Sequence, residues 1–261
     1  MVDWCLGTVG FSYKDWSGVF YPAGASSRTY LAHYSQFFNA VELDTTFHGV
    51  PPAERVRQWA ALVPVGFQFC VKTPRQITHE TRLVNASEAM GTFLATMSLL
   101  GEKLGVILIQ LPPSLGIAEI DTLNRFLVEL PPDFRYAVEL RHPSWFASET
   151  ATLLEAHNIC WVSTEYLDMP KEVTVTTGFL YIRWLGRHGQ FDYKGQEQRD
   201  VTSQLEWWWQ EIQPHLAKVE TVYGFFNNDY SGHSPATCNR FKRFIGLPTS
   251  YPQTLQQGRL F

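Results

Sequence analysis

The sequence of 261 residues predicts an α/β fold, a single TIM-barrel-like (β/α)8 domain over residues 1–261, with active-site candidates at the C-terminal ends of the strands. Three observations carry that expectation. Eight short aliphatic or aromatic segments have the length and flanking breaks of strands, and helix-patterned stretches separate them. Their mean spacing of about 30 residues suits parallel strands joined by crossover helices. Eight such units in about 250 residues is the size of a TIM barrel. A doubly wound open sheet is the alternative, disfavoured because no G-x-G-x-x-G turn follows the first strand.

In chain order the strand segments are DWCLGT near residue 3, AVELDTTF near 40, FQFCVKT near 67 and GVILIQL near 105. RYAVELR near 135, CWVSTE near 160, FLYIRWL near 179 and VYGFFNN near 222 complete the set. Between them RTYLAHYSQFF, PAERVRQWAALV, SEAMGTFLATMSLLG, EIDTLNRFLVEL, ETATLLEAHN, VTSQLEWWWQEI and PATCNRFKRFIG read as helices. Pro52 suits a first helical turn, Asn85 with Glu88 resembles a capping box, and Ser234 before Pro235 reads as an N-cap. No Pro/Gly/Ser-rich linker divides the chain.

Hydrophobic residues make up 45% of the chain and charged residues 18%, which is the composition of an ordinary globular protein. No apolar run reaches the roughly 18 residues that cross a bilayer, and MVDWCLGTVG lacks a basic start followed by an apolar stretch, so a cytoplasmic address is expected. Cys5, Cys70, Cys160 and Cys238 form no C-x-x-C pair and read as reduced core thiols. The formal charge of -4 excludes a uniformly basic nucleic-acid binder but leaves room for a local positive patch.

In a barrel, alternate strand residues point inward and catalytic groups gather at the strand ends. That alternation turns Glu42 and Asp44 inward on the second strand, Lys72 on the third, Glu139 and Arg141 on the fifth and Arg183 on the seventh, with Gln110 ending the fourth. On the eighth strand the phase leaves either Asn227 or Asn228 facing in. Two carboxylates and three cations then converge, close to electrically balanced. Either they form a structural ion network, because buried charges survive only when paired, or they form an active site. His142 follows Arg141 directly and stands equally between a structural and a catalytic role.

Loops add further candidates. FSYKDWSGVFYP brings Tyr13, Trp16, Phe20 and Tyr21 after the first strand, either to stack on a sugar or base or to anchor the loop as a plug. GRHGQFDYKG and NNDYSGHSP, after the seventh and eighth strands, lie where many barrels bind phosphate, and Arg187, His188 and Asp229 are on them. No nucleophile elbow, Walker loop or H-E-x-x-H is present and no cofactor is expected. The alternative is a divalent-metal site built from separate strands by histidines with Glu42, Asp44, Glu139, Glu165 and Asp229, which Lys72, Arg141 and Arg183 would disfavour by repulsion. In the triplet Trp207, Trp208 and Trp209, three helical positions span about 200°, so two are expected in the core and one exposed or in a contact with another subunit.

The motifs GTVGFSY, DWSGVFYP, VELDTTFHGVP, FCVKTPRQITHE, LGVILIQLPPSL, YAVELRHPSW, LYIRWLGR and FFNNDYSGHSPATCN, in this order, resemble the YecE-like family, domain of unknown function 72, almost end to end. The resemblance implies a TIM-barrel-like fold and supplies no established reaction. Glu42, Lys72, Gln110, Glu139, Arg141, His142, Arg183, Asn227, Asn228 and Asp229 match its motifs. Three places depart from the family pattern: Val9-Gly10-Phe11 in the opening motif, Asp44 and His48 where Asn and Tyr are usual, and Leu185 where a His often precedes Gly186. Leu185 removes any mechanism that needs a histidine there.

The leading expectation is an enzyme, a hydrolase or isomerase, acting on a phosphorylated sugar or nucleotide-like anion. Glu42 or Glu139 would be the base, Lys72 the acid or charge stabiliser, and Arg141, Arg183 and Arg187 would bind the anion. The alternatives are a nucleic-acid binding or processing protein and a non-catalytic binding or scaffold barrel.

Overall fold

The computed structural model describes residues 2–252. Nine parallel strands form one sheet in the order β6-β5-β4-β3-β2-β1-β9-β8-β7. They are β1 (Asp3–Val9), β2 (Ala40–Leu43), β3 (Gln68–Lys72), β4 (Leu104–Gln110), β5 (Tyr136–Glu139), β6 (Cys160–Trp161), β7 (Ser163–Glu165), β8 (Phe179–Trp184) and β9 (Thr221–Phe226). β6 and β7 are halves of one extended segment split at Val162, whose N–H donates to the Val138 carbonyl. The first half pairs with β5 and the second with β8, so the two ends of the sheet meet in one stretch of chain and the barrel is nearly closed. This is a TIM-barrel-like α/β fold.

Alternation along the strands divides the core in two. Val41, Leu43, Phe69, Val71, Ile107, Ile109, Val138, Leu180 and Ile182 face outward into the layer packed under the helices. Cys5, Ala40, Cys70, Val106, Leu108, Ala137, Cys160, Tyr181 and Tyr223 fill the barrel interior as a separate apolar cluster. All four cysteines are free and buried. Close approach also dictates residue type: a Cβ on Gly7 of β1 would lie 1.8 Å from the Ala40 carbonyl oxygen and 2.6 Å from the Tyr34 hydroxyl.

The outer layer comprises α1 (Tyr30–Tyr34), α2 (Ala53–Leu62), α3 (Ser87–Met97), α4 (Ile120–Val128), α5 (Ser148–Ala156), α6 (Thr202–Ile212), α7 (Asn228–Ser231) and α8 (Ser234–Phe244), with short 3₁₀ turns between. The expected caps shift. Asn85 sits at φ 51 and makes no capping box, so α3 begins after Ala86, and α8 begins one residue early, with His233 rather than Ser234 at its cap. Of the tryptophan triplet only Trp208 is fully buried, while Trp207 and Trp209 are half-buried, the latter 6.2 Å from Trp4. Two neighbours on either side of the buried position pack sideways on the protein itself, which corrects the expectation of two core residues and one exposed. No described helix is long and apolar enough to cross a membrane.

Candidate functional site

The apolar interior of the barrel stops at a layer of charge. Strands β2, β5 and β8 lie far apart around the ring, yet their inward residues Glu42, Glu139 and Arg183 meet on the axis. Arg183 donates from Nε to Glu42 Oε2 at 2.8 Å, from Nη2 to Glu42 Oε1 at 2.5 Å, and from Nη1 to Glu139 Oε2. Tyr181, two residues earlier on β8, donates its hydroxyl to Glu42 Oε2 at 2.8 Å. Arg141 donates Nε to the remaining Glu139 oxygen. Both carboxylates are wholly buried and fully occupied by donors, as buried charges must be.

Burial alone would raise the Glu139 carboxyl; Arg141, Arg183 and Lys72 outweigh it and hold the group down at about 2. Arg183 also feels burial, which opposes its charge, but Glu139 and Glu42 push its basicity above the usual range. A carboxylate this acidic, with both oxygens engaged, is a poor proton acceptor. With every carboxylate oxygen of the pair already holding a donor, the geometry moves Glu42 and Glu139 from base to supporting floor.

Above that floor opens a cavity of about 270 Å³. Its walls include Asp44, Lys72, Gln110, Arg141, Tyr166, Arg183, Leu185, Asn227 and Asp229. Larger hollows of about 550 and 660 Å³ lie elsewhere, lined mainly by apolar side chains with no comparable buried charge cluster. Chemistry, not size, selects the smaller one.

Three of the five core charges are cations and two are anions, and Arg183 and Arg141 satisfy the carboxylates. Lys72 is the surplus. Its ammonium rests over the Phe47 ring at 3.9 Å, and among the described residues no carboxylate lies within ion-pair distance. Burial and then Arg183 lower it to about 8, with Arg141 adding to the effect and Glu139 and Glu42 partly offsetting it. Arg141 stacks over Tyr166 at 3.7 Å, and only its Nε is spent on Glu139, so its two terminal nitrogens remain available to a ligand.

Asp229 occupies the opposite wall. It accepts from the Gly189 N–H at 3.1 Å, pairs with Lys194 at 3.4 Å and has the exposed His188 ring 3.6 Å away. Its position depends on Gly186, where φ is 70 and a Cβ would fall 2.1 Å from the Asp229 carbonyl oxygen. The loop positions expected to bind phosphate thus present a carboxylate. The α8 N-terminus is closed too, because Asn228 Oδ1 accepts from both Ser234 N and Ser234 Oγ. An anion is better matched by the opposite side, where Lys72 and Arg141 stand.

Of the residues expected from sequence, Lys72, Gln110, Arg141, Arg183, Asn227 and Asp229 line the cavity. Four do not. His142 accepts from the Ser144 N–H at 3.2 Å and lies 2.7 Å from its hydroxyl, capping the turn Pro143–Trp145. Arg187 is exposed outside the lining, because the chain leaves the barrel at Gly186. Asn228 is buried in α7, its Oδ1 accepting from Ser234 at the start of α8 and from Trp16 Nε1 at 3.3 Å. Trp16 itself is 0% exposed and packs with Phe20 and Tyr21, so these rings anchor the loop and offer no face to a ligand. Tyr13 stands behind the cavity wall, its hydroxyl donating to the Val9 carbonyl at 2.7 Å.

Sequence reasoning missed Tyr166 and His79. Alternation through Cys160, Val162 and Thr164 points to Tyr166, a signal that was present but not carried past the strand. His79 lies on a π-helical turn, Gln76–Glu80, with its ring 5.0 Å from Phe47. Burial, then Lys72, Arg75 and Arg141, lower it to about 4, so it is neutral at physiological pH. Glu165, weighed from sequence as a metal ligand, is instead occupied by Lys171 at 2.6 Å, Trp208 Nε1 at 2.6 Å and the Tyr230 hydroxyl at 2.7 Å. Among the described residues no three His, Cys, Asp or Glu side chains gather as a metal site.

Fold and cavity together define a TIM-barrel-like protein with a charged pocket at the C-terminal mouth. The chain belongs to the family described as "Protein of unknown function DUF72", whose model matches residues 5–258. It is 39% identical to the UPF0759 protein YecE of Escherichia coli strain K12 over 119 residues, 46% of this chain and 44% of that protein. The match therefore spans less than half the length of that relative. It is 26% identical to the UPF0759 protein YunF of Bacillus subtilis strain 168 over 246 residues, 81% of this chain and 85% of that protein. Among solved structures, a DUF72 family protein of Thermotoga maritima aligns with a TM-score of 0.78 at 28% identity, covering 93% of this chain and 99% of the other. A DUF72 family protein of Enterococcus faecalis gives 0.75 at 22% identity, covering 95% and 99%, a likeness of fold.

Proposed function

We propose that the mouth cavity is the active site of an enzyme acting on a small, polar, anionic substrate in the cytoplasm, with Lys72 as the group that carries the proton. The observation behind this reading is the pair of cations with unspent donors, Lys72 and Arg141, on one cavity whose floor carboxylates, Glu42 and Glu139, are already paired with arginines. Arg141 offers a planar fork suited to carboxylate or phosphate. Lys72, held at about 8, is close enough to neutrality to take a proton and return it, which an isomerisation or an assisted hydrolysis requires. Gln110, buried at the end of β4 with its Nε2 donating to the Leu111 carbonyl at 2.8 Å, presents its amide to the same space.

A volume of about 270 Å³ lies at the small end of ligand pockets, which run from about 300 to 1,000 Å³. It favours a single phosphorylated sugar or nucleotide-sized molecule over a nucleic-acid duplex. The test is thermal stabilisation of wild type, Arg141→Ala and Lys72→Met by sugar phosphates, nucleotides and short oligonucleotides. A ligand at 100 times its dissociation constant stabilises by about 2.7 kcal/mol. A small anion that stabilises wild type but not Arg141→Ala supports the reading. Stabilisation by oligonucleotides alone, weakening steeply with salt, would replace it with nucleic-acid binding.

A further inference from the structure

A lysine amine becomes a nucleophile towards carbonyl carbon when it is neutral, when no acceptor competes for it, and when a cation beside it or a dry wall around it favours the neutral form. Lys72 meets each condition by placement. It ends β3 at the cavity, half-buried, and its nitrogen lies over the face of Phe47, 3.9 Å from the ring centroid. The charged or titratable groups nearest it are Glu42 from β2, His79 from the π-helical turn, Arg141 after β5, Glu139 from β5 and Arg183 from β8, and Asp44 after β2, Tyr166 after β7, His188 after β8 and Asp229 on α7 line the same cavity. Arg183 and Arg141 hold both carboxylates, so neither serves as a counter-ion to the lysine. The free guanidinium nitrogens of Arg141 border the same cavity.

Resting on the reading of this cavity as an anion-binding active site, we propose that Lys72 forms a covalent imine with a small aldehyde or ketone that bears a carboxylate or phosphate held by Arg141. The nitrogen lone pair attacks the carbonyl carbon, and the carbonyl oxygen takes a proton. The amine nitrogen then gives up its own protons as that oxygen leaves as water and the C=N bond forms. No electrons are exchanged with an external partner. The imine is an electron sink, so it acidifies the adjacent carbon, which suits isomerisation or carbon–carbon cleavage at that carbon. Because burial lowers the amine to about 8, about a quarter is neutral at pH 7.5, against about a thousandth of an ordinary lysine.

The experiment traps the imine with sodium cyanoborohydride, which supplies hydride to the C=N bond and leaves a stable secondary amine. The whole chain is incubated at pH 7.5 with glyoxylate, with dihydroxyacetone phosphate, or with uncharged propionaldehyde, and labelled peptides are mapped by mass spectrometry. The expected result is one dominant adduct, on Lys72, formed at least about tenfold faster than on any exposed lysine. Lys72→Arg and Lys72→Met abolish it, while Arg141→Ala slows labelling by the two anionic carbonyls and not by propionaldehyde. Labelling spread evenly over surface lysines, or unchanged in the Lys72 variants, overturns the proposal. If the anionic probes raise the melting temperature of wild type and Lys72→Arg alike with no adduct, the imine fails and the anion site stands. If Lys72 is labelled equally by all three probes and Arg141→Ala has no effect, the anionic substrate class fails.

Discussion

Removing Arg183 should test the central claim about the floor of the site. In Arg183→Met, Glu42 loses both contacts with the guanidinium and keeps only the Tyr181 hydroxyl, while Glu139 keeps only Arg141. Both carboxyls are 0% exposed, so their charge has no water to turn to. Breaking a buried ion pair by deleting one partner costs about 3–5 kcal/mol. Linkage gives a comparable figure: a carboxyl held at about 2 instead of its unfolded value near 4.3 contributes about 3 kcal/mol at neutral pH.

The pH dependence has a definite sign. In wild type the depressed Glu139 stabilises the fold at every pH above its unfolded value and loses that contribution only as pH falls towards about 2. In the variant, burial without Arg183 raises the carboxyl pKa values. Their penalty is then largest at neutral pH and relieved as protons bind on acidification. Denaturant unfolding at pH 7 and pH 5 should therefore show a large gap that narrows at the lower pH. A loss below about 1 kcal/mol at pH 7, or a gap that widens at pH 5, would refute the argument. Adding Glu42→Gln and Glu139→Gln to Arg183→Met should recover part of the loss, since the two buried carboxylates that lost the guanidinium then carry no charge, while Arg141 gives up its pairing with Glu139.

Lys72→Met should stabilise the fold by about 1–3 kcal/mol at pH 7, because a lysine lowered to about 8 costs stability below that pH and stops costing it above its unfolded value near 10.4. A melting temperature that rises while ligand stabilisation disappears would mark Lys72 as kept for function at the expense of stability. Gly186→Ala should destabilise by about 2 kcal/mol or more, since its Cβ would overlap the Asp229 carbonyl, and should displace Asp229 from the cavity wall; unfolding midpoints and ligand affinity report the two effects. Trp208→Phe keeps the ring in the core but leaves Glu165 without the indole N–H, for a loss of about 1–3 kcal/mol, read by denaturant unfolding.

The sequence by itself determined the fold and the inward set. A period of two is local, so Val41, Val71, Val138 and Ile182 marked the outer faces of their strands, and Glu42, Lys72, Glu139 and Arg183 followed as inward with no knowledge of neighbours. What each inward group does depended on the ring. Glu42 and Arg183 are 141 residues apart, and only the stagger of parallel strands brings them into a forked ion pair that consumes the carboxylate and leaves Lys72 as the unpaired cation. The loops were equally closed to a local reading: His142 and Arg187 sit one or two residues beyond inward positions, yet the chain turns away after Arg141 and at Gly186. Strand faces obey short-range sterics, whereas charge pairing, burial and the direction of a loop are set by contacts between segments distant in the chain, and these decided which of the legible residues stand free to act.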